Sequence, residues 1–506
     1  MMSSPRDKYY AHGSQLYGAG LLILLLPLYL TQLGAEQFAL MMMFFAAQGW
    51  IQIADFGFPL ALSREVAISR REHRPDRIGS MLASLQLPML LGMVLLGIAI
   101  LGISKWIAGR GGEGIFVNTG VASLSILAVT LALSLRWGSE LYRAALGGAE
   151  QFAGLAVLNV FSATARLAGA LVVLKWAGGG VFVWLICQAV LSAVEMLSLV
   201  LLCRRKLHLQ FGNSCSESTR VLHALWPIAA QISAASAIWI SITQLDKLVL
   251  SQTLSLHKYG AVGIAAAIPA GLLTLAIPLL QLSYPALVRL HGRESRREQT
   301  DLYLSLTAAT CCLLFPTALV CVAFSEKLLM VWFAGRLDAV GFDAASLIPL
   351  YAVGASLLAL SSMPYGLLNA AGELRRHVAA SLALAACIAV ALVTGSLHSG
   401  ANGAIALWCG SFGLFFLIWP QVVHRRHLEG GWWPWARTVA LFALPLGIVA
   451  YALKWLFPDS SSLLLRFGEL ATVWIVLQGL ALCMLWTCHR HWKQFPQTRK
   501  LTDPAS

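Results

Sequence analysis

Apolar segments of about 18 to 28 residues recur from one end of the chain to the other, each long enough to cross a hydrocarbon core as a helix. They run at about 12–33, 38–62, 78–104, 120–146, 153–174, 181–203, 223–251, 259–288, 301–324, 346–370, 377–395, 402–423, 436–456 and 467–488. The pattern predicts an all-α polytopic membrane protein of about fourteen transmembrane helices.

Much of the layout of residues 27–77 returns about 221 residues later. Leu33 falls opposite Leu254, Phe38 opposite Tyr259, and the basic loop near Arg64 opposite the one near Arg289. The stretch YRAALGGAE at Tyr142–Glu150 is echoed by YGLLNAAGE at Tyr365–Glu373, an offset of 223. Two similarities that share nearly one period argue for an internal repeat. The expected organisation is an N-lobe of six spans over 1–205, a cytoplasmic inter-lobe loop at 206–222, a C-lobe of six spans over 223–427, and two extra C-terminal spans with a cytoplasmic tail over 428–506.

Composition agrees with this class: 58% of residues are hydrophobic, 12% are charged, and mean hydropathy is +0.73. The formal net charge of +13 reads as topology, because lysine and arginine gather in one alternating set of loops. That places both termini in the cytoplasm and calls for no nucleic-acid partner. Residues 1–12 lack the architecture of a cleavable signal, so the first span is expected to remain as an anchor. None of the ten cysteines forms a CxxC pair, and they read as small core residues with no metal or redox role. The longest outside segments, near 105–119 and 325–345, are too short for an extramembrane catalytic domain. With no HExxH, GxSxG, Walker lysine loop or DxD pair, the chain does not read as an enzyme or an ATP-driven pump.

The run LGAEQFALMMMFFAAQGWIQIADFGFPLALSRE, with DKLVLSQTLSLHKYGAVGIAAAIPAGLLTLAIPLLQLSYPALVRL in the second half, resembles the Wzx-type polysaccharide (O-antigen) flippases of the multidrug/oligosaccharidyl-lipid/polysaccharide (MOP) exporter superfamily. The resemblance implies a carrier in the bacterial inner membrane. It would move undecaprenyl-diphosphate-linked oligosaccharide from the cytoplasmic to the periplasmic leaflet, with two lobes related by an axis along the membrane normal. It further implies membrane lipid, a polysaccharide polymerase and a chain-length regulator as partners. No cofactor is expected, and coupling would be to protons or membrane potential. This chain departs from the commoner twelve-span layout by two C-terminal spans and lacks the arginine-rich early spans of a lipid II flippase.

Polar residues inside spans are the functional candidates, each costing about 2.5 to 3.5 kcal/mol at a helix centre on insertion scales. Gln48, Gln52 and Asp55 fall at i, i+4 and i+7, one helical face. That face reads either as a wall for sugar hydroxyls with Asp55 as a titrating site, or as interhelical glue. Arg136, Glu140 and Arg143 repeat the spacing on the fourth span, and Arg166 lies on the fifth with Asn159 one face-repeat before it. Guanidinium forks match phosphate oxygens bidentately, so Arg136, Arg143 and Arg166 are the candidates for the diphosphate. The competing reading closes Arg136 on Glu140 and lets Arg143 snorkel.

Glu195, deep in the sixth span, reads either as a protonatable coupling site or as the partner of Arg166. Asp246 and Lys247, adjacent on the seventh span, point about 100 degrees apart and are each expected to need a separate partner. They suggest a gate latch or an interfacial pair. In the C-lobe, Tyr365 and Asn369 share a face with Ser362 and suit sugar stacking or hydrogen bonding, while Ala276 stands where Asp55 would repeat. Two rivals remain. A multidrug exporter would want an acidic cavity, and a membrane-integral polymerase or ligase would want a long outside loop.

Overall fold

The computed structural model describes residues 5–51, 57–71, 75–109, 120–207, 215–292, 296–335, 339–458 and 462–493. Every regular element among the described residues is helical. In chain order these are α1 (Pro5–Ile51), α2 (Phe58–Arg71), α3 (Pro75–Gly109), α4 (Gly120–Gly148), α5 (Phe152–Thr164), a π-helical turn (Ala165–Gly169), α6 (Ala170–Ala177), α7 (Gly180–Leu207) and α8 (Cys215–Thr253). There follow α9 (Leu256–Gly292), α10 (Arg296–Ala323), α11 (Ser325–Trp332), α12 (Ala339–Ala370), α13 (Leu374–His427), α14 (Trp433–Leu456) and α15 (Leu463–Lys493).

Among the described residues, ten helical segments are long and apolar enough to cross a membrane. Two of the ten contain a break. Gly34 interrupts α1 at φ 73 and ψ 168, and Ser399 with Gly400 interrupts α13, so each holds two of the expected spans. Helices α3 and α8 occupy the remaining two. The protein is thus an all-α, multi-pass membrane protein. Its outer surface agrees: Trp176 is 87% and Leu464 83% exposed, a display that water would penalise and lipid does not.

One expected span does not run unbroken through its apolar stretch. The run to residue 62 is not one helix: α1 is described as far as Ile51, and Gly57 at φ 69 leads into a separate amphipathic helix, α2. A side chain at Gly57 would be strained at that φ and would overlap the carbonyl oxygen of Ala229 on α8. On α2, Ala61, Leu62, Val66 and Ser69 are buried while Arg64 faces outward.

Local backbone geometry carries its own repeat. Gly178, between α6 and α7, sits at φ 66 and ψ −143, and Gly400, inside the α13 break, sits at φ 62 and ψ −146. Both conformations are open essentially to glycine alone. They lie 222 residues apart, the period of the sequence repeat.

Contacts divide the chain into two compact units, Met1–Gln244 and Leu245–Ser506. The first has a core where α2, α3, α4 and α7 meet, built on Leu62, Val66, Leu82, Leu141, Leu146 and Leu199. In the second, α12 packs on α9 and α13, while α14 and α15 both pack on α10. The two C-terminal helices are tied in by Lys327 of α11, whose buried ammonium donates to the carbonyls of Phe457 at 3.0 Å and Pro458 at 3.2 Å and to Glu469 at 2.6 Å.

Candidate functional site

A cavity of about 680 Å³ lies within the first unit, lined by side chains of α1, α4, α5, the π turn and α7. The spacing on α4 turns Arg136, Glu140 and Arg143 toward it, and Asn159, Arg166 and Glu195 close it from the other helices. Arg143 donates from Nη1 to Asn159 Oδ1 and from Nη2 to Glu195 Oε1. Its Nε lies 3.4 Å from Glu140 Oε1. Arg166 Nη1 stands 2.7 Å from Glu195 Oε2, so one carboxylate that is only 3% exposed holds two guanidinium groups from different helices. Asn159 in turn donates to the buried hydroxyl of Ser14 at 3.4 Å.

Arg136 differs from the other two arginines. Its side chain makes no hydrogen bond or ion pair among the described residues, yet it lines the same cavity. Among the described lining residues, three arginines against two glutamates leave the wall cationic. A guanidinium with unspent donors in a partly dehydrated cavity is built to accept an anion with paired oxygens, such as a phosphate.

Arg166 owes its position to the π turn. A π turn disrupts the regular helical ladder, and such turns recur at functional sites. Here two buried side chains capture its carbonyls: Tyr29 donates to Leu167 O at 2.6 Å and Gln188 donates to Arg166 O at 3.0 Å. The Tyr29 ring is itself held edge-on by Trp184, with centroids 6.4 Å apart. Sequence reasoning passed over Tyr29, Gln188 and Ser14. A signal existed for Gln188: with Ser192 and Glu195 it repeats the i, i+4, i+7 spacing on α7, and all three are buried.

Of the residues expected on the second span, Gln48 lines the cavity, while Gln52 and Asp55 lie outside the described residues. Glu140 does not close on Arg136 as the spacing allowed. It pairs with Arg143 three residues on, because Arg143 is drawn toward Glu195 and carries its Nε past Glu140. The expectation that Asp246 and Lys247 would not pair is also corrected: the flexible lysine stem folds back to put Nζ 3.3 Å from Asp246 Oδ1. Asp246, fully buried, accepts a second bond from Tyr351 at 2.7 Å, within the second unit.

Tyr365 and Asn369 also belong to the second unit, whereas all residues lining this cavity belong to the first. The Tyr365 ring lies 4.8 Å from that of His377, and the Ser362 hydroxyl is spent on Ala359 O at 2.6 Å. Cys203, Cys311, Cys312 and Cys321 are buried, while Cys387 and Cys483 are exposed. Among the described residues no group of three His, Cys, Asp or Glu side chains is placed to hold a metal ion.

Residues 6–291, more than half of the chain, match the family model for polysaccharide biosynthesis proteins. No curated protein matches the chain. Three solved structures share its fold at 12% identity. The lipid II flippase MurJ in an inward closed conformation covers 94% of this chain and 98% of its own, with a TM-score of 0.68. An inward-facing multidrug resistance MATE family transporter of the MOP superfamily covers 83% and 95%, with a TM-score of 0.66. A MOP superfamily transporter from Pyrococcus furiosus covers 87% and 97%, with a TM-score of 0.53. Family model and fold converge: this chain belongs to the polysaccharide biosynthesis protein family, and its fold is that of the MOP superfamily transporters.

Proposed function

We propose that the protein is a flippase for undecaprenyl-diphosphate-linked oligosaccharide, an O-antigen-type repeat unit, which it carries from the cytoplasmic to the periplasmic leaflet of the bacterial inner membrane by alternating access. The observation that carries this reading is the cationic cavity of the first unit, where Arg136 offers unspent donors beside Arg143 and Arg166. The likeness to a lipid II flippase supports a lipid-linked substrate, and the family supports its place in polysaccharide synthesis. Arginines suit a diphosphate; Gln48, Asn159 and Ser14 suit hydroxyl-bearing sugars. A multidrug exporter on this fold would favour an anionic cavity for cationic drugs, the opposite polarity.

In this reading both termini are cytoplasmic, in keeping with the loop arginines and lysines. The lobes expected at 1–205 and 223–427 are the moving bodies, Tyr365 and Asn369 are sugar contacts of the second, and Asp55, Glu140, Asp246 and Lys247 serve coupling or gating. A polymerase and a chain-length regulator act downstream on the delivered unit. An inside-negative potential aids outward movement of anionic groups by roughly 2.3 kcal/mol per charge per 100 mV, which supplies a drive without ATP. The test is translocation of undecaprenyl-diphosphate-linked oligosaccharide in proteoliposomes under an imposed potential. Transport that is lost in an Arg136→Ala, Arg166→Ala double variant supports the reading. Unchanged transport in that variant, or transport of cationic drugs in place of the lipid, overturns it.

A further inference from the structure

Resting on that reading of the cavity as a phosphate site, we infer that Glu195 is a built-in stand-in for the substrate's anionic group. It occupies Arg143 and Arg166 when the site is empty and must be exchanged for the incoming diphosphate. The geometry motivates the inference. Glu195 projects from α7 into the cavity wall and meets Arg143 of α4 and Arg166 of the π turn at once, each through a different oxygen. A carboxylate presenting two oxygens to two guanidinium groups has the contact pattern of a bound phosphate.

The polar groups that line the cavity with Glu195 are Arg136, Ser139, Glu140 and Arg143 from α4, Asn159 from α5, Arg166 from the π turn, and Gln48 and Ser14 from α1. Among these, Arg136 alone of the arginines carries no counter-ion contact. Its donors are therefore open to an anion without exchange, whereas the other two must first release Glu195.

The Arg166 contact is suited to exchange. Its Nη1 lies 2.7 Å from Glu195 Oε2, the one contact its guanidinium makes among the described residues. The other N–H groups of Arg166 remain available to a ligand whose oxygens meet them in line. Without Glu195, two half-buried guanidinium groups from separate helices would be left with Glu140 as the remaining carboxylate among the described lining residues, a costly resting state. The internal carboxylate thus keeps the empty carrier folded and sets a threshold. A ligand with one weak anionic group does not displace it, whereas a diphosphate, able to engage Arg136 as well, does.

A structural staple and an exchangeable stand-in differ in what Glu195→Gln does to binding. Pyrophosphate and farnesyl diphosphate are the probes, titrated calorimetrically into the detergent-solubilised full chain, with thermal melting recorded alongside. The exchange predicts that Glu195→Gln melts lower without ligand, binds both probes at least tenfold more tightly than wild type, and gains more melting temperature on saturation. It also predicts slower release, read as reduced lipid translocation in proteoliposomes.

Equal or weaker binding by a folded Glu195→Gln overturns the inference. Should that variant not fold, Glu195→Asp keeps the charge but shortens the reach to one guanidinium; tighter binding than wild type supports the inference, and equal or weaker binding overturns it. If wild type binds the probes, Arg136→Ala weakens them and Glu195 variants do not tighten them, the inference fails alone. If no variant binds either probe, the phosphate reading of the cavity fails with it.

Discussion

The hydroxyl of Tyr29 on α1 donates to the carbonyl of Leu167 across 138 residues of sequence, at 2.6 Å. This bond fixes the π turn that carries Arg166, and so joins a side chain with no part in the cavity lining to the placement of a cavity charge. Tyr29→Phe is expected to lower stability by about 1 kcal/mol, the typical worth of such a bond. It should also weaken anion binding by loosening Arg166. Thermal melting with pyrophosphate titration measures both, and an unchanged affinity would separate the turn from the site.

Arg136 and Arg166 are expected to part company in stability while agreeing in function. Arg136→Ala removes no ion pair among the described residues and should leave the melting temperature nearly unchanged. Arg166→Ala takes one of two counter-charges from a buried carboxylate and should lower it clearly. Each should reduce anion affinity roughly tenfold or more, since hydrogen bonds to charged groups are worth about 1.5 to 3 kcal/mol.

Lys327 governs the attachment of the two C-terminal helices. Lys327→Ala takes the buried cation from Glu469 and the donor from two carbonyls and should destabilise by about 3 to 5 kcal/mol. Replacing both partners, Lys327→Met with Glu469→Leu, should cost much less than the sum of the single changes. A double-mutant cycle read by melting or by protease resistance of α14 and α15 decides this.

Tyr351→Phe leaves the fully buried Asp246 with Lys247 as its remaining partner in that pair of contacts. A loss of about 1.5 to 3 kcal/mol is expected for a hydrogen bond to a charged acceptor. Tyr351→Ala should cost more, because it also removes the ring packed 5.1 Å from Trp408. Melting curves of the two variants separate the hydroxyl from the ring.

The run of apolar segments by itself determined the all-α class, the multi-pass character and the positions of most of the described helices. All of these follow from hydrophobic length and 3.6-residue periodicity, which are local properties. The same periodicity placed Arg136, Glu140 and Arg143 on one face. Local spacing says nothing about which partner lies across the interface, so the pairings were decided by tertiary structure alone. Arg143 could have closed on Glu140 alone, or met water; packing of α7 against α4 brings Glu195 to it from 52 residues away. Arg166 could have faced lipid, and a π turn held by Tyr29 and Gln188 points it inward. The apolar run that predicted a second span to residue 62 was overruled at Gly57, where backbone from α8 comes too close for any side chain. Sequence determined which residues could line a site, because that depends on helical phase; only the packed helices decided which charges meet and which remains open, because that depends on distances no local pattern encodes.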